Sequence, residues 1–164
     1  MKILVLSDSH SALSFMRRCV EKIKPKAIIH LGDFYDDAEA LKEDYGHIPF
    51  HIVPGNCDRY RCPIGAQEML CYPVGGVKMM ITHGHNYRVK SGIGALTAEA
   101  RRLEAKAVLY GHTHIADCHQ EDDLWVLNPG TCGHFGGSAG EIETDGEKII
   151  ACRIVRQTDL EEMV

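Results

Sequence analysis

Side chains that can bind metal ions recur along this sequence, each time directly after a short apolar run. The set combines carboxylates, imidazoles and one amide, and its members are Asp8, His10, Asp33, Asn56, Asp58, His83, His85, His112 and His114. Glycine stands beside most of these positions, and glycine lets the backbone turn sharply or approach a ligand closely. One group of this kind carries little weight, but five groups in order along one chain predict a shared site.

The apolar runs that precede these side chains have the length and composition of buried β-strands. They cover residues 2–6, 27–31, 50–53, 77–81 and 107–110. Further strands are predicted at 69–72, 124–127, 139–144 and 148–155. A turn containing Pro73, Gly75 and Gly76 joins one strand pair, and Asp145-Gly146 is a strong hairpin signal between the last two strands.

Apolar residues recur at helical spacing between several of these strands. One predicted helix is marked by Leu13, Met16, Val20 and Ile23, and another by Ile93, Leu96, Ala100 and Leu103. Pro25 closes the first of them. A shorter helix is capped by Asp36 or Asp37 and ends near Gly46. Alternating strands and helices, followed by consecutive strands, predict an α/β architecture with mixed sheets.

This architecture would bring the polar groups together. In open α/β sheets, sites form beyond the carboxyl ends of the strands. Residues two apart on extended backbone point to the same side. We therefore expect Asp8 with His10, and His112 with His114, to aim both side chains into one site.

Length and composition set the broad class. The chain has 164 residues, which at roughly 100–200 residues per domain predicts one domain over 1–164. No apolar stretch approaches the roughly 20 residues of a membrane helix, so we expect no membrane partner and, by default, a cytoplasmic protein. The net charge of -5 argues against a nucleic-acid partner, because phosphate backbones bind clustered lysine and arginine.

The seven irregularly spaced cysteines predict reduced, mostly packed thiols rather than a disulfide framework or a thiolate zinc site.

The residue types also limit the metal and its chemistry. Imidazole and carboxylate ligands without thiolates suit Mn, Fe, Co, Ni or Zn, and suit Mg less well. Two such ions about 3.5–4 Å apart can clamp the attacking and leaving oxygens of an in-line displacement. Metal-bound water can lose a proton near about pH 7, so no serine, threonine or cysteine nucleophile is required.

Five segments resemble the motifs of the calcineurin-like metallophosphoesterase superfamily. They are Asp8-Ser9-His10, Gly32-Asp33, Gly55-Asn56-Cys57-Asp58, His83-Gly84-His85 and Gly111-His112-Thr113-His114. The small size and residues 128–131 resemble its compact branch of bacterial and archaeal phosphodiesterases, which includes a metal-poor relative in the eukaryotic retromer coat. The resemblance implies a four-layer α/β/β/α sandwich with two mixed β-sheets.

The resemblance also implies roles for single residues. The first of two divalent transition-metal ions, with Mn favoured, would be held by Asp8, His10, Asp33 and His114. Asp33 would bridge to the second ion, which Asn56, His83 and His112 would complete. Asp58 would support the site without touching the metal, and His85 matches a position of this branch without an assigned role.

Cys57 departs from the pattern of many superfamily members. They have a histidine there, which can protonate the leaving group, so the identity of the proton donor stays open. Four other residues are candidates for the pocket. His119 and His134 are possible lining groups, and Arg59 and Arg61 are either phosphate ligands or part of an ordinary solvated loop. The glycine-rich segment 130–140 is interpreted as a flexible lip.

The leading hypothesis is therefore a two-metal phosphodiesterase that acts on a small phosphate ester by in-line attack of a metal-bridging hydroxide. A phosphomonoesterase with the same site, a non-catalytic protein-binding scaffold of the same fold, and a nuclease are the alternatives. The physiological substrate and the oligomeric state, with a homodimer as one option, stay open.

Overall fold

The chain alternates strands and helices in its first half and then continues mainly as strands. The computed structural model describes residues 1–133 and 136–163. Its elements are β1 (Lys2–Leu6), α1 (Leu13–Ile23), β2 (Ala27–His30), α2 (Tyr35–Asp44), β3 (Phe50–Ile52), β4 (Met69–Val74), β5 (Val77–Thr82), α3 (Gly94–Arg102), β6 (Ala107–Leu109), β7 (Asp117–Glu121), β8 (Leu124–Asn128), β9 (Ser138–Thr144), β10 (Ile149–Arg156) and α4 (Gln157–Glu162). Short 3₁₀ turns follow β5 at His85–Tyr87 and Val89–Ser91.

The strands of the described residues form two five-stranded sheets. Their orders are β10-β9-β1-β2-β3 and β4-β5-β6-β8-β7. Both sheets are mixed, since β1 pairs parallel with β2 and antiparallel with β9, and β5 pairs parallel with β6 and antiparallel with β4. The predicted α/β architecture with mixed sheets is confirmed.

Within the described part of the chain, three apolar clusters separate the layers. The cluster between the sheets includes Ile3 and Val5 of β1 together with Met79 and Ile81 of β5. The intervening Leu4 faces the opposite way, into a cluster formed with α1, α2 and α4. The third cluster packs α3 against the outer face of the second sheet. Successive side chains of β1 are buried on both faces, which explains its continuous apolar run. The predicted four-layer α/β/β/α sandwich is confirmed.

The topology brings the ends of five strands to one edge of the sandwich. In the first sheet, β1, β2 and β3 run parallel, and in the second, β5, β6 and β8 do so. Parallel strands end on the same side of a sheet. The loops after β1, β2, β3, β5 and β6 carry the metal-binding side chains predicted from the sequence.

Several local predictions were wrong. Asp36 and Asp37 lie within the first turn of α2, whose preceding residue is Phe34 in left-handed conformation, and neither acid caps the helix. Pro73 belongs to β4 rather than to the turn, which an edge strand tolerates because the missing N–H faces outward. Strand β7 and helix α4 were not predicted from the sequence, because β7 is mostly polar and α4 is short.

Among the described residues, no helix combines the length and apolar character needed to cross a membrane.

Candidate metal centre

The predicted metal ligands converge at the strand ends. Two groups of side chains place their ligand atoms within 4.8 Å of one another, and these groups are Asp8, His10 and His114, and Asp8, Asp33 and His83. Asn56 joins through its Oδ1 atom, 3.1 Å from His83 Nε2. The His112 ring lies 5.1 Å from the His83 ring, centroid to centroid. The structure thus gathers all seven predicted ligands in one place.

Five of these residues have left-handed backbone conformations. Their φ angles are 51° at Asp8, 43° at His10, 58° at Asp33, 69° at His112 and 61° at His114. Non-glycine residues in this region carry strain of roughly 1–3 kcal/mol each, and such residues cluster at functional sites. The expectation of extended backbone at Asp8 to His10 and at His112 to His114 is therefore wrong. Tight left-handed turns, not strand alternation, bring these side chains together.

Asp8 lies at the centre of the hydrogen-bond network. Its Oδ2 atom accepts from the Ser7 hydroxyl and from the His112 backbone N–H, the latter at 3.1 Å. The Thr131 hydroxyl donates to the Asp8 carbonyl at 2.8 Å. Burial raises the pKa of the Asp8 carboxyl, although His83 and the Ser7 hydroxyl act in the opposite direction. Its second oxygen, Oδ1, lies 3.0 Å from His114 Nε2 and faces the site.

Asp33 is surrounded by groups that favour its charged form. Its Oδ1 atom accepts from the Cys57 backbone N–H at 2.9 Å and lies 3.5 Å from His83 Nε2. Burial acts to raise the pKa of the Asp33 carboxyl, but His83, the Cys57 N–H and His10 outweigh it and lower that pKa. The carboxylate therefore interacts with histidines of both ligand groups.

Neighbouring groups fix the orientation and the protonation state of the His83 imidazole. Its Nδ1 lies 2.7 Å from the Leu31 carbonyl, which can only accept, so Nδ1 carries the proton. Burial lowers the pKa of the His83 imidazole, which favours the neutral ring. Nε2 then presents a lone pair toward the oxygen atoms of Asn56 and Asp33. Three electron-pair donors facing one another fit a cation between them, and the Nδ1–carbonyl bond is the orienting contact common behind metal-bound histidines.

Asp58 connects two loops of the site through hydrogen bonds. The side chain is fully buried and accepts three backbone N–H groups. Oδ2 accepts from Asp33 at 2.8 Å and from Gly55 at 2.7 Å, and Oδ1 accepts from Tyr35 at 2.9 Å. Its contacts are with the backbone that carries the ligands.

Two glycines allow the ligand loops to approach the carboxylates. A Cβ atom on Gly55 would lie 2.1 Å from Asp33 Oδ1. A Cβ atom on Gly111 would lie 2.0 Å from Ser7 Oγ and 2.8 Å from Asp8 Oδ2. No side chain fits at either position without moving a carboxylate.

Asn128 is a site residue whose role sequence reasoning missed. Its Nδ2 donates to the Gly111 carbonyl at 3.1 Å and to Thr113 Oγ1 at 2.9 Å, and its Oδ1 accepts from the Gly130 N–H at 3.0 Å. The fully buried amide therefore holds the loop of His112. The sequence offered two signals for this position, namely a polar residue at the end of an apolar strand and the resemblance of residues 128–131 to the compact branch.

His85 and Cys57 lie beside the ligands. The His85 ring lies 5.4 Å from the His83 ring, and its buried Nδ1 has no hydrogen-bond partner among residues 1–133 and 136–163. The Cys57 side chain is exposed, and burial together with the Asp33 carboxylate raises the pKa of its thiol.

The remaining candidates lie at varying distances from the centre. Arg61 pairs with Asp36 at 2.7 Å and its guanidinium lies 4.5 Å from the Phe34 ring centroid, so this arginine is engaged by neighbours. His119 contacts two acidic residues of its own strand, β7, and does not join the ligand groups. His134 and part of the predicted lip lie outside the described residues.

Cavities flank the ligands on two sides. One, of about 510 Å³, is lined by Asn56, Arg59 and His85 among others. The other, of about 310 Å³, is lined by residues that include His114 and Arg156. Each of these cavities therefore has a predicted ligand in its lining, His114 in one and Asn56 in the other.

Comparison with known proteins identifies the family. The family model described as the calcineurin-like phosphoesterase superfamily domain matches residues 1–144. The chain belongs to this superfamily. A phosphodiesterase of Methanocaldococcus jannaschii is 29% identical, over 88% of this chain and 94% of that protein.

Solved structures show the same phosphoesterase fold. A predicted phosphoesterase from Streptococcus pneumoniae is 25% identical with a TM-score of 0.74, covering 96% of this chain and 90% of that one. Vacuolar protein sorting 29 from Cryptosporidium parvum is 19% identical with a TM-score of 0.69, covering 94% and 97%. The predicted superfamily and the resemblance to its compact branch are confirmed, and membership supports a metal-dependent phosphoric ester hydrolase.

Proposed function

We propose that this chain is a two-metal phosphodiesterase that hydrolyses small phosphate diesters. The observation that carries the proposal is the pair of ligand groups that share Asp8 and are linked through Asp33. Nitrogen and carboxylate donors of this kind suit a transition-metal ion better than Mg²⁺. Mn²⁺ is the proposed metal, and Fe, Co, Ni or Zn would fit the same donors.

The residues fit a binuclear centre. One ion would be held by Asp8, His10, Asp33 and His114, and the other by Asp33, Asn56, His83 and His112. When bound, such ions supply Lewis-acid activation of water and of the phosphoryl oxygens. Asp33 suits the bridging role because its Oδ1 atom lies 3.5 Å from His83 Nε2 and its carboxyl also interacts electrostatically with His10 of the other group.

The protein contributes rigid positioning of these donors. Leu31 orients His83 through its carbonyl, and Asp58 holds the backbone of Asp33 and Gly55. Misplacement of a reacting group by about 1 Å can reduce the rate by about 10²-fold, so this supporting network matters for turnover.

The two cavities favour a diester over a monoester. A diester has an organic group on each side of its phosphorus, whereas a monoester has one. The cavities beside Asn56 and beside His114 offer room for one group each. Arg59 and Arg156 line these cavities and are available to polar substituents.

The test is a comparison of matched aryl esters with metal-loaded protein. We expect a higher kcat/KM for bis-p-nitrophenyl phosphate than for p-nitrophenyl phosphate in the presence of Mn²⁺. Elemental analysis should find two ions per chain, and Asp33→Asn should lose both activity and the second ion. Asp36→Asn is the control, because Asp36 is an exposed acid that pairs with Arg61 outside the ligand groups.

Other outcomes would select the alternatives. Faster turnover of the monoester would indicate a phosphomonoesterase. Two bound ions without turnover of either ester would favour the binding-scaffold hypothesis.

A further inference from the structure

Two cysteines face each other where the open edges of the two sheets meet. Cys118 lies on β7, the edge strand of the second sheet, and Cys152 lies on β10, the edge strand of the first. Their Sγ atoms are 2.9 Å apart although the residues are 34 positions apart in sequence. A disulfide bond has a sulfur separation of about 2.05 Å, so only a small side-chain movement separates this contact from a covalent bond.

The environment of the pair allows oxidation. Both side chains are half-buried against the core between the sheets, so a small reagent can reach them. The hydrogen bond between the thiols lowers the pKa of Cys118 and raises that of Cys152. The thiolate is the nucleophile in thiol–disulfide exchange, which makes Cys118 the attacking residue.

Cys19, Cys132 and Cys71 lack the combination of partial burial and a sulfur–sulfur contact. Cys19 and Cys132 are buried, and burial raises the pKa of Cys19 to about 12 and raises that of Cys132 as well. Cys71 is half-buried on β4, and its thiol makes no sulfur–sulfur hydrogen bond within the described part of the chain. Cys71 therefore serves as a matched control.

We propose that Cys118 and Cys152 form a reversible disulfide that joins the two sheets of the sandwich. The oxidant is a low-molecular-weight disulfide such as oxidised glutathione. The Cys118 thiolate attacks one sulfur of the oxidant, forms a mixed disulfide and releases one thiolate. The Cys152 thiolate then attacks Cys118 Sγ, forms the Cys118–Cys152 bond and releases the second thiolate. The protein loses two electrons, the oxidant gains them, and the two protein protons end on the two released thiols.

The cross-link would stabilise the end of the fold next to the metal ligands. β7 begins shortly after His114, and the bond would tie this edge strand to the other sheet. Closing a loop between residues 34 positions apart lowers the entropy of the unfolded chain. We expect oxidation to raise the Tm by about 5–10 °C, from the usual effect of such a loop on a domain of this size.

The experiment uses the full-length, metal-loaded protein in glutathione buffers of graded redox potential. After free thiols are blocked with iodoacetamide, peptide mapping should find Cys118 linked to Cys152, and dithiothreitol should reverse both the link and the rise in Tm. Cys71→Ser should keep the link and the rise in Tm. Cys118→Ser and Cys152→Ser should each lose both.

Peptide mapping of the unaltered protein tests the inference even if a serine variant folds poorly. Full alkylation of both cysteines in oxidising buffer, or glutathione retained on Cys118 without closure to Cys152, would overturn the proposal. A link that forms without any change in Tm would overturn its stabilising role.

Discussion

Replacing Asp58 by asparagine should loosen the metal centre without removing any proposed ligand. The carboxylate accepts backbone N–H groups from Asp33, Gly55 and Tyr35. An asparagine side chain has one oxygen, so its amide nitrogen must face at least one of these donors. The substitution therefore leaves a buried N–H unpaired and turns the remaining bonds into neutral ones.

The size of the effect follows from these contacts. An unsatisfied buried donor costs about 1–3 kcal/mol, and loss of charge weakens each remaining bond by about 1 kcal/mol. With Oδ1 in the place of the present Oδ2, two bonds survive, and the total loss of unfolding free energy is about 3–5 kcal/mol. For a chain of this length each kcal/mol lowers the Tm by about 2–4 °C, so we expect a fall of about 6–20 °C.

Calorimetry, Mn²⁺ titration and diester turnover should be measured on the same preparations. Because Asp58 holds the backbone of Asp33, we expect Asp58→Asn to weaken Mn²⁺ binding and to lower kcat as well as Tm. Asp145→Asn is the matched control, since Asp145 also accepts two backbone N–H groups but on an exposed hairpin turn. Water can replace its lost contacts, so its Tm should change by less than about 2 °C.

A wild-type Tm and Mn²⁺ affinity in Asp58→Asn would contradict the proposed role of the Asp58 carboxylate. A fall in Tm with unchanged metal affinity and kcat would show that Asp58 stabilises the fold but does not position the ligands.

Three further substitutions test separate parts of the site. Gly55→Ala should lower diester turnover by about 10²-fold, because the added Cβ atom would displace the Asp33 carboxylate. Gly94→Ala is the kinetic control, because its added Cβ atom would meet nothing within 4 Å. Asp33→Ala should abolish turnover more completely than His114→Ala at saturating Mn²⁺, since a bridge serves both ions, and equal residual rates would contradict the bridging assignment. Cys57→His should raise activity on alkyl esters relative to aryl esters, because a positioned general acid helps most when the leaving group is basic; an unchanged dependence of rate on leaving-group pKa would remove Cys57 from that explanation.

Much of the fold could be predicted because its signals are local. The buried strands β1 and β6 have uninterrupted apolar runs, and the polar residues that follow them stand where parallel strands end. The order of strands and helices then places those residues at one edge. Local pattern and global topology agree at these positions, which is why the convergence of these side chains could be predicted from sequence.

The missed features depend on contacts between distant residues. Asn128 acts through the loop of Thr113, and Cys118 meets Cys152 only after both sheets have formed. Strand β7 carries polar residues on an edge, so its pairing with β8 determines its structure more than its composition does. The left-handed turns at His112 and His114 were likewise not predicted, because that conformation is uncommon for non-glycine residues, although histidine is enriched among those that adopt it.

The left-handed turns at the metal ligands have a consequence for how the sequence of this domain would change during evolution. Glycine adopts this backbone conformation without steric strain, at an entropic cost of about 0.5–1 kcal/mol, whereas an L side chain there is strained by roughly 1–2 kcal/mol. His112→Gly should therefore ease the backbone while it removes a ligand, so activity and stability respond in opposite directions at this position. Where selection for catalysis is lost, substitutions that replace these ligands by glycine would be favoured because they increase folding stability. The fold would then persist after catalytic activity is lost, and the stable domain could acquire a different function.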